Sequence, residues 1–204
     1  MRATGGGVTV AVALIAALLV GCAATGPQPD PPPTSSTPDA VATPTASPQA
    51  PAAVFRMPKL CAEVLPASRI AHLTSLGMEL LAGPDGKYGD EYLADPTPEQ
   101  LVGGITCIWG EENVPENSVI ISVAPLAAST RGSVIEDLVE QGLNERVAGE
   151  ALVYERVGDE VAAPAIVNVV HDDCWVSVIE GLGGQDFYEE AATIADEVET
   201  QVGA

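Results

Sequence analysis

The chain is poor in basic residues, in histidine and in aromatic side chains. Only 8 of its 204 residues are Lys or Arg, against 29 Asp or Glu, and the formal net charge is −21. A surface this acidic repels phosphate backbones and anionic lipid headgroups, so we expect no nucleic-acid partner. Such acidity suits cationic ligands or metal ions, but the carboxylates are spread along the sequence, which favours a solubilising surface over one acidic site.

The sequence also lacks the usual catalytic motifs, because it contains neither a nucleophile elbow nor a phosphate-binding Gly-Lys-Ser/Thr loop. His171 precedes Asp172 and Asp173 and suggests a general base or a metal ligand, but adjacent strand residues face opposite sides and Asp-rich turns are ordinary. His72 is predicted to be a partly exposed helix residue. The loop over residues 84–91 lacks the carboxylate spacing of a calcium loop. We therefore predict no catalytic residue, no metal site and no cofactor.

No apolar run is long enough for a permanent membrane helix. The stretch over residues 8–20 has about 13 apolar positions, and a spanning helix needs about 20. It follows Arg2 and ends in Leu19-Val20-Gly21-Cys22, which resembles a lipobox. The resemblance implies a signal peptide over residues 1–21, cleavage before Cys22, and acylation of the Cys22 thiol, palmitate included. Such a protein is anchored by lipid to the extracytoplasmic face of the cell membrane.

A proline-rich segment follows the predicted anchor. Residues 23–55 contain nine prolines and eight Ser or Thr, and large apolar side chains are almost absent before Val54. This composition cannot bury enough surface to offset the entropy of ordering. We predict that residues 22–55 are the lipidated cysteine and a disordered tether, and that residues 56–204 form one acidic globular domain.

The domain is predicted to be α+β, a single antiparallel sheet with helices packed against it. Helical segments are predicted at residues 60–65, from Pro66 to a stop at Gly77, at 133–143 and at 185–202. Strands are predicted at residues 105–109, 119–123, 152–156, 165–171 and 174–179. Residues 82–98 are predicted to be an irregular loop, and a long loop over residues 110–117 is expected to join the first two strands.

The clearest predicted element is a tight hairpin in which Asp172 and Asp173 separate two β-branched runs. If His171 pairs with Cys174, then four valines share one face, which should be the core: Val167, Val169, Val176 and Val178. Trp109 and Trp175 are interpreted as core residues rather than as a ligand platform.

Three cysteines remain in the domain, namely Cys61, Cys107 and Cys174. An odd number permits one internal disulfide and leaves one thiol free in an exported protein. The segment from Cys61 to Pro66 and the later Cys107-Ile108-Trp109 resemble a family of actinobacterial lipoproteins of unknown function. That resemblance implies a Cys61–Cys107 disulfide between the first helix and the sheet. Cys174-Trp175 is an imperfect second copy of the motif, so Cys174 is an alternative partner.

These observations predict a lipid-anchored envelope protein with a non-catalytic binding or interaction domain. One alternative is a carrier that holds a small apolar ligand between its sheet and its helices. An envelope enzyme is a further alternative. The expected partners are the membrane, through Cys22, and either another envelope protein or a small apolar ligand.

Overall fold

The computed structural model describes residues 54–159 and 161–204, without the side chain of Glu91. The predicted signal peptide, Cys22 and nearly all of the predicted tether lie outside the described residues. Within them the chain forms a single antiparallel sheet with helices packed on it, which confirms the predicted α+β class.

The sheet has seven strands within the described ranges: β1 (Glu79–Ala82), β2 (Ile105–Glu111), β3 (Val114–Pro125), β4 (Asn144–Ala148), β5 (Ala151–Arg156), β6 (Ile166–Val170) and β7 (Cys174–Glu180). The helices are α1 (Ala67–Ser75), α2 (Pro98–Leu101), α3 (Ala128–Glu140) and α4 (Gln185–Val202), with 3-10 turns at Cys61–Glu63 and Asp90–Tyr92. The spatial order is β1-β2-β3-β7-β6-β5-β4, and every neighbouring pair is antiparallel. The last strand thus lies at the centre of the sheet, between β3 and β6.

The β6–β7 hairpin has the predicted turn and the predicted register. The backbone N–H of His171 donates to the carbonyl oxygen of Cys174 at 2.9 Å. The four valines pair as predicted and are at most 5% exposed: Val167 with Val178, and Val169 with Val176. Each fully buried valine stabilises the fold by about 1.5–3 kcal/mol, so this hairpin is a main part of the core.

The long loop predicted between β2 and β3 is wrong. Both strands extend further, Glu111 pairs with Val114, and the turn consists of Glu112 and Asn113 alone. Asn113 has a φ of 66°, which asparagine tolerates better than most residues. Backbone hydrogen bonds hold the two strands together up to this turn, and the polar sequence of residues 110–117 has no alternating pattern that would predict it.

Three further elements were not predicted: β1, α2 and β4. β1 is four residues long, and β4 is an edge strand whose side chains are almost all exposed, so neither has an alternating apolar pattern. The α2 helix lies at the end of the segment predicted to be irregular. Its start is held by a capping box in which Thr97 and Gln100 exchange hydrogen bonds of 2.9 and 3.3 Å.

Two apolar layers cover the two faces of the sheet. On the first face, which we call the α4 face, strand side chains such as Trp109, Val119 and Val178 pack with α1 and α4. On the second, the α3 face, Tyr154 and Trp175 belong to the cluster that α3 completes.

The helices of the α4 face bound the region described next. The predicted C-terminal helix is confirmed as α4, which buries residues such as Ile194 and Val198. It ends at Val202 and is capped by Gly203, where φ is 75°. The α1 helix ends at Ser75, shortly before Gly77. Leu76, which follows the helix, is 55% exposed, whereas Leu73 on the helix is buried. Among the described residues, no helix has the length and hydropathy needed to cross a bilayer.

Candidate ligand-binding site

The two histidines lie in different parts of the domain, His72 on α1 and His171 in the turn between β6 and β7. His171 adjoins the first residue of β7, and its Nε2 is 2.5 Å from Oε1 of Glu199 on α4. This hydrogen bond raises the pKa of His171 more than burial lowers it. Arg131 donates to the His171 carbonyl oxygen at 3.0 Å and lies 3.6 Å from Asp172. These contacts tie the hairpin turn to α3 and α4, and Asp173 completes that turn.

Cys61 and Cys107 form a disulfide that joins the first 3-10 turn to β2. The pairing implied by the family resemblance is therefore present, and the alternative with Cys174 is not. Cys174 is a free, fully buried thiol, and burial raises its pKa to about 12. Because the thiolate is the nucleophilic form, Cys174 is an unreactive core residue at neutral pH.

A cleft of about 310 Å³ lies on the α4 face, where α1 and the first half of α4 approach the ends of β3 and β7. Its apolar wall comes from both helices and from the sheet: Leu73, Leu76, Met78, Val119, Phe187 and Ile194. Small-molecule sites in proteins have volumes of about 300–1,000 Å³ and a mostly apolar lining. The cleft is therefore of the right size and character for a small ligand.

Glu180, the last residue of β7, is the buried polar group of this cleft. It stands opposite Val119 in the β3–β7 register, so its side chain lies on the α4 face among core residues. It is 6% exposed, and its Oε1 has no hydrogen-bond partner in the described protein. Burial, with a smaller contribution from the negative charge of Glu190, raises the pKa of Glu180 to about 8.

Arg69 of α1, whose positive charge acts on Glu180, already has carboxylate partners. Its Nε and Nη2 donate to Glu197 at 2.7 and 3.1 Å, and its Nη1 donates to Glu190. Arg69 is 9% exposed, and this ion cluster fixes α1 against α4 beside the cleft. The positive charge of Arg69 lowers the pKa of Glu180, but the rise caused by burial is larger.

A second buried carboxyl, Glu99 of α2, has a different environment. It is also 6% exposed, and burial raises its pKa, but its own backbone N–H and the neighbouring hydroxyls of Thr97 and Ser177 oppose that rise. Nearby hydroxyls continue the network, since Thr106 lies 2.8 Å from Thr97 and 2.9 Å from Ser122. Glu99 thus lies beside a polar layer of hydroxyls, whereas the Oε1 of Glu180 is buried without a partner among the described residues.

Another depression, of about 360 Å³, is lined in part by residues from the range 88–93, within the segment predicted to be an irregular loop. Its stacked tyrosines, Tyr88 and Tyr92, have ring centroids 5.4 Å apart and are largely exposed. Its carboxylate Glu112 accepts from Lys87 and from Tyr88, and none of its described lining residues has a buried unpaired polar atom. We favour the cleft at Glu180, where an unpaired polar atom is buried against an apolar wall.

Both tryptophans are buried, as predicted. Trp175 donates from Nε1 to Oδ1 of Asn168 at 3.0 Å. Trp109 lies on the α4 face opposite Val119, in the same cross-strand row as Glu180, and its Nε1 also lacks a partner in the described protein. The row Trp109–Val119–Glu180 therefore contains two unpaired polar atoms beside one cleft-lining valine.

The sequence suggested a ligand between sheet and helices as one alternative, but neither the lining residues of the cleft nor its buried carboxyl were predicted. One signal was present: the alternation that places Val176 and Val178 in the core also places Glu180 on the same face. Of the residues singled out from the sequence, only His72 lines the cleft, and it is an exposed residue at the rim. His171 and the two Asp residues of its turn do not reach it.

No family model, curated protein or solved structure matches this chain.

Proposed function

We propose that this protein is a lipid-anchored, non-catalytic binding domain of the cell envelope, and that its cleft holds a small apolar ligand. The observation that carries the proposal is the apolar cleft of about 310 Å³ between α1, α4 and the sheet. The anchor rests on the lipobox-like Leu19-Val20-Gly21-Cys22, and the tether on the proline-rich segment after it.

Three features of the cleft support ligand binding. Apolar side chains from two helices and a strand converge on it, among them Leu73, Val119 and Phe187. The ion cluster of Arg69 and the disulfide hold the surrounding elements, so the cleft is formed before a ligand arrives. Leu76 is apolar and 55% exposed at the rim, an arrangement that a bound ligand would cover.

The binding experiment uses the purified full chain carrying Cys22→Ser, which has no acyl group that could itself occupy the cleft. Native mass spectrometry would test for a retained molecule, and titration with 1-octanol, followed by amide NMR shifts, would locate binding. We expect shifts at residues such as Leu73, Val119 and Ile194. Saturable shifts elsewhere only, or none, would contradict the proposal.

A matched pair of variants tests the location independently. Leu76→Gln removes an apolar contact at the rim, and Leu101→Gln makes the same change at a 73% exposed leucine outside the cleft. We expect Leu76→Gln to weaken octanol binding about five- to tenfold, equivalent to about 1–1.4 kcal/mol of apolar contact. Leu101→Gln should bind like the parent chain. Equal effects of the two substitutions would argue against this cleft.

The anchor is tested by growing expressing cells with labelled palmitate. We expect the label on the native chain and its recovery with membranes, and loss of the label in Cys22→Ser. Labelling of the Cys22→Ser chain would refute acylation at this position.

A further inference from the structure

We propose that the ligand of the cleft is an apolar molecule with a cationic amine group, and that this group forms an ion pair with Glu180. The inference rests on the proposed function and names the chemical class of its ligand. It is carried by the unpaired Oε1 of Glu180, by the position of that carboxyl at an apolar wall, and by the charges around it.

The Oε1 of Glu180 has no hydrogen-bond partner in the described part of the chain. A buried polar atom without a hydrogen bond is costly, and native proteins nearly always satisfy such atoms. Arg69 directs its Nε, Nη1 and Nη2 to Glu190 and Glu197 instead. A donor brought by a ligand would complete the site.

The side chains around the cleft are mainly acidic. Glu180 lines it, together with Asp186 and Glu190 of α4. Among the described lining side chains, the one basic group is His72, and Lys and Arg are absent. Carboxylates on one side of an apolar pocket attract an ammonium group and repel a carboxylate or a phosphate.

The proton that Glu180 carries in the empty cleft is displaced when the amine binds. In the empty cleft burial raises its pKa to about 8, so the carboxyl is mainly protonated at pH 7. An ammonium group favours the charged form, so the arriving amine displaces this proton to solvent as the ion pair forms. The charged or titratable groups around Glu180 are Arg69 and His72 on α1 and Asp186 and Glu190 on α4.

The experiment compares three eight-carbon probes, n-octylamine, 1-octanol and octanoate, on the full chain with Cys22→Ser. Calorimetry gives affinities, and amide NMR shifts confirm the location. At pH 7 we expect octylamine to bind at least tenfold more tightly than octanol, and octanoate to bind most weakly. Calorimetry in two buffers of different ionisation enthalpy should show release of close to one proton per bound octylamine.

The pH dependence gives a second signature. As the pH increases toward the pKa of Glu180, the affinity for octylamine should rise by up to about tenfold per pH unit. Above about pH 8 it should level off. Octanol carries no charge, so its affinity should change little over the same range.

Two variants separate Glu180 from the general acidity of the protein. Glu180→Gln should remove the preference for octylamine over octanol and retain octanol binding. Glu140→Gln removes one carboxylate from the exposed surface of α3, outside the cleft, and should keep the preference.

The possible failures are distinguishable. Equal binding of octylamine and octanol, tightest binding of octanoate, or an unchanged preference in Glu180→Gln would overturn the amine inference while ligand binding in the cleft stands. Absence of binding by all three probes would overturn both. Should Glu180→Gln fail to fold, the proton release of the unsubstituted Glu180 decides the matter, since a value near zero at pH 7 would refute the ion pair.

Discussion

The buried carboxyl of Glu180 makes a sharp prediction about how stability depends on pH. Its pKa is about 8 in the folded protein against an ordinary value of 4.5. The folded state therefore binds this proton more tightly than the unfolded chain, and its contribution to stability falls as the pH rises from 4.5 through 8. Each pH unit between those values corresponds to about 1.4 kcal/mol.

Replacing Glu180 with Gln removes this titration and retains the shape of the side chain. At pH 5 the variant should be more stable by less than about 1 kcal/mol, because this pH is only slightly above the ordinary pKa of the carboxyl and far below its folded pKa. At pH 7 the variant should be more stable by about 3 kcal/mol, and at pH 9 by up to about 5 kcal/mol. Other titrating groups are common to both chains and cancel in the difference.

The assay is urea unfolding followed by circular dichroism at pH 5, 7 and 9, with Glu140→Gln as the control. The control removes the same charge from an exposed site and should show a small difference that is nearly the same at all three pH values. A Glu180→Gln difference that does not grow with pH would refute the reasoning, as would a variant less stable than the parent at pH 9.

Two further predictions concern the contacts that hold the domain together. Removing the disulfide with Cys61→Ala and Cys107→Ala should lower the free energy of unfolding, measured with urea, by about 4 kcal/mol, because the bridge closes a loop of 46 residues. A non-reducing peptide map of the native chain that shows Cys174 in a bridge would contradict the pairing. Replacing Glu199 with Gln should lower the free energy of unfolding by about 1–2 kcal/mol at pH 5.5 and by less at pH 9. The reason is that Glu199 raises the pKa of His171, so the pair stabilises the fold at low pH, and this contribution is lost as the pH rises through the folded pKa. Equal losses at both pH values would show that the pair does not depend on the imidazolium.

An unpaired buried carboxyl has a stability cost, and an apolar residue at this position of β7 would avoid it. Residues that lower stability in this way are concentrated at functional sites, where a ligand supplies the missing partner. Glu99 is equally buried, and burial raises its pKa, but the neighbouring Thr97 and Ser177 hydroxyls lower it, and neither of its oxygens is among the unpaired buried atoms of the described chain. The difference between the two sites is the reason to assign a ligand to Glu180.

Much of the fold was predictable from local patterns. The β6–β7 hairpin follows from two β-branched runs around Asp172 and Asp173, and α4 follows from apolar positions at helical spacing. These signals are strong because one face of each element is buried. The edge strand β4 and the short helix α2 have no such pattern, since pairing with β5 and the Thr97 capping box hold them instead.

The cleft was beyond prediction from one sequence. Its wall brings Leu73 of α1, Val119 of β3 and Ile194 of α4 together across a separation of more than 100 residues. Local periodicity predicts which side of an element is buried, but not which elements meet or where their packing leaves a gap.

The sequence by itself determined the acidic composition, the absence of common catalytic motifs, the α+β class and the core face of the central hairpin. Each of these depends on composition or on neighbours along the chain. The tertiary structure alone decided the order of the strands, the partner of Cys61, and the isolation of the Glu180 carboxyl at an apolar wall. Those features arise because β7 inserts between β3 and β6 and α4 returns over the sheet, so they depend on contacts between residues far apart in the chain.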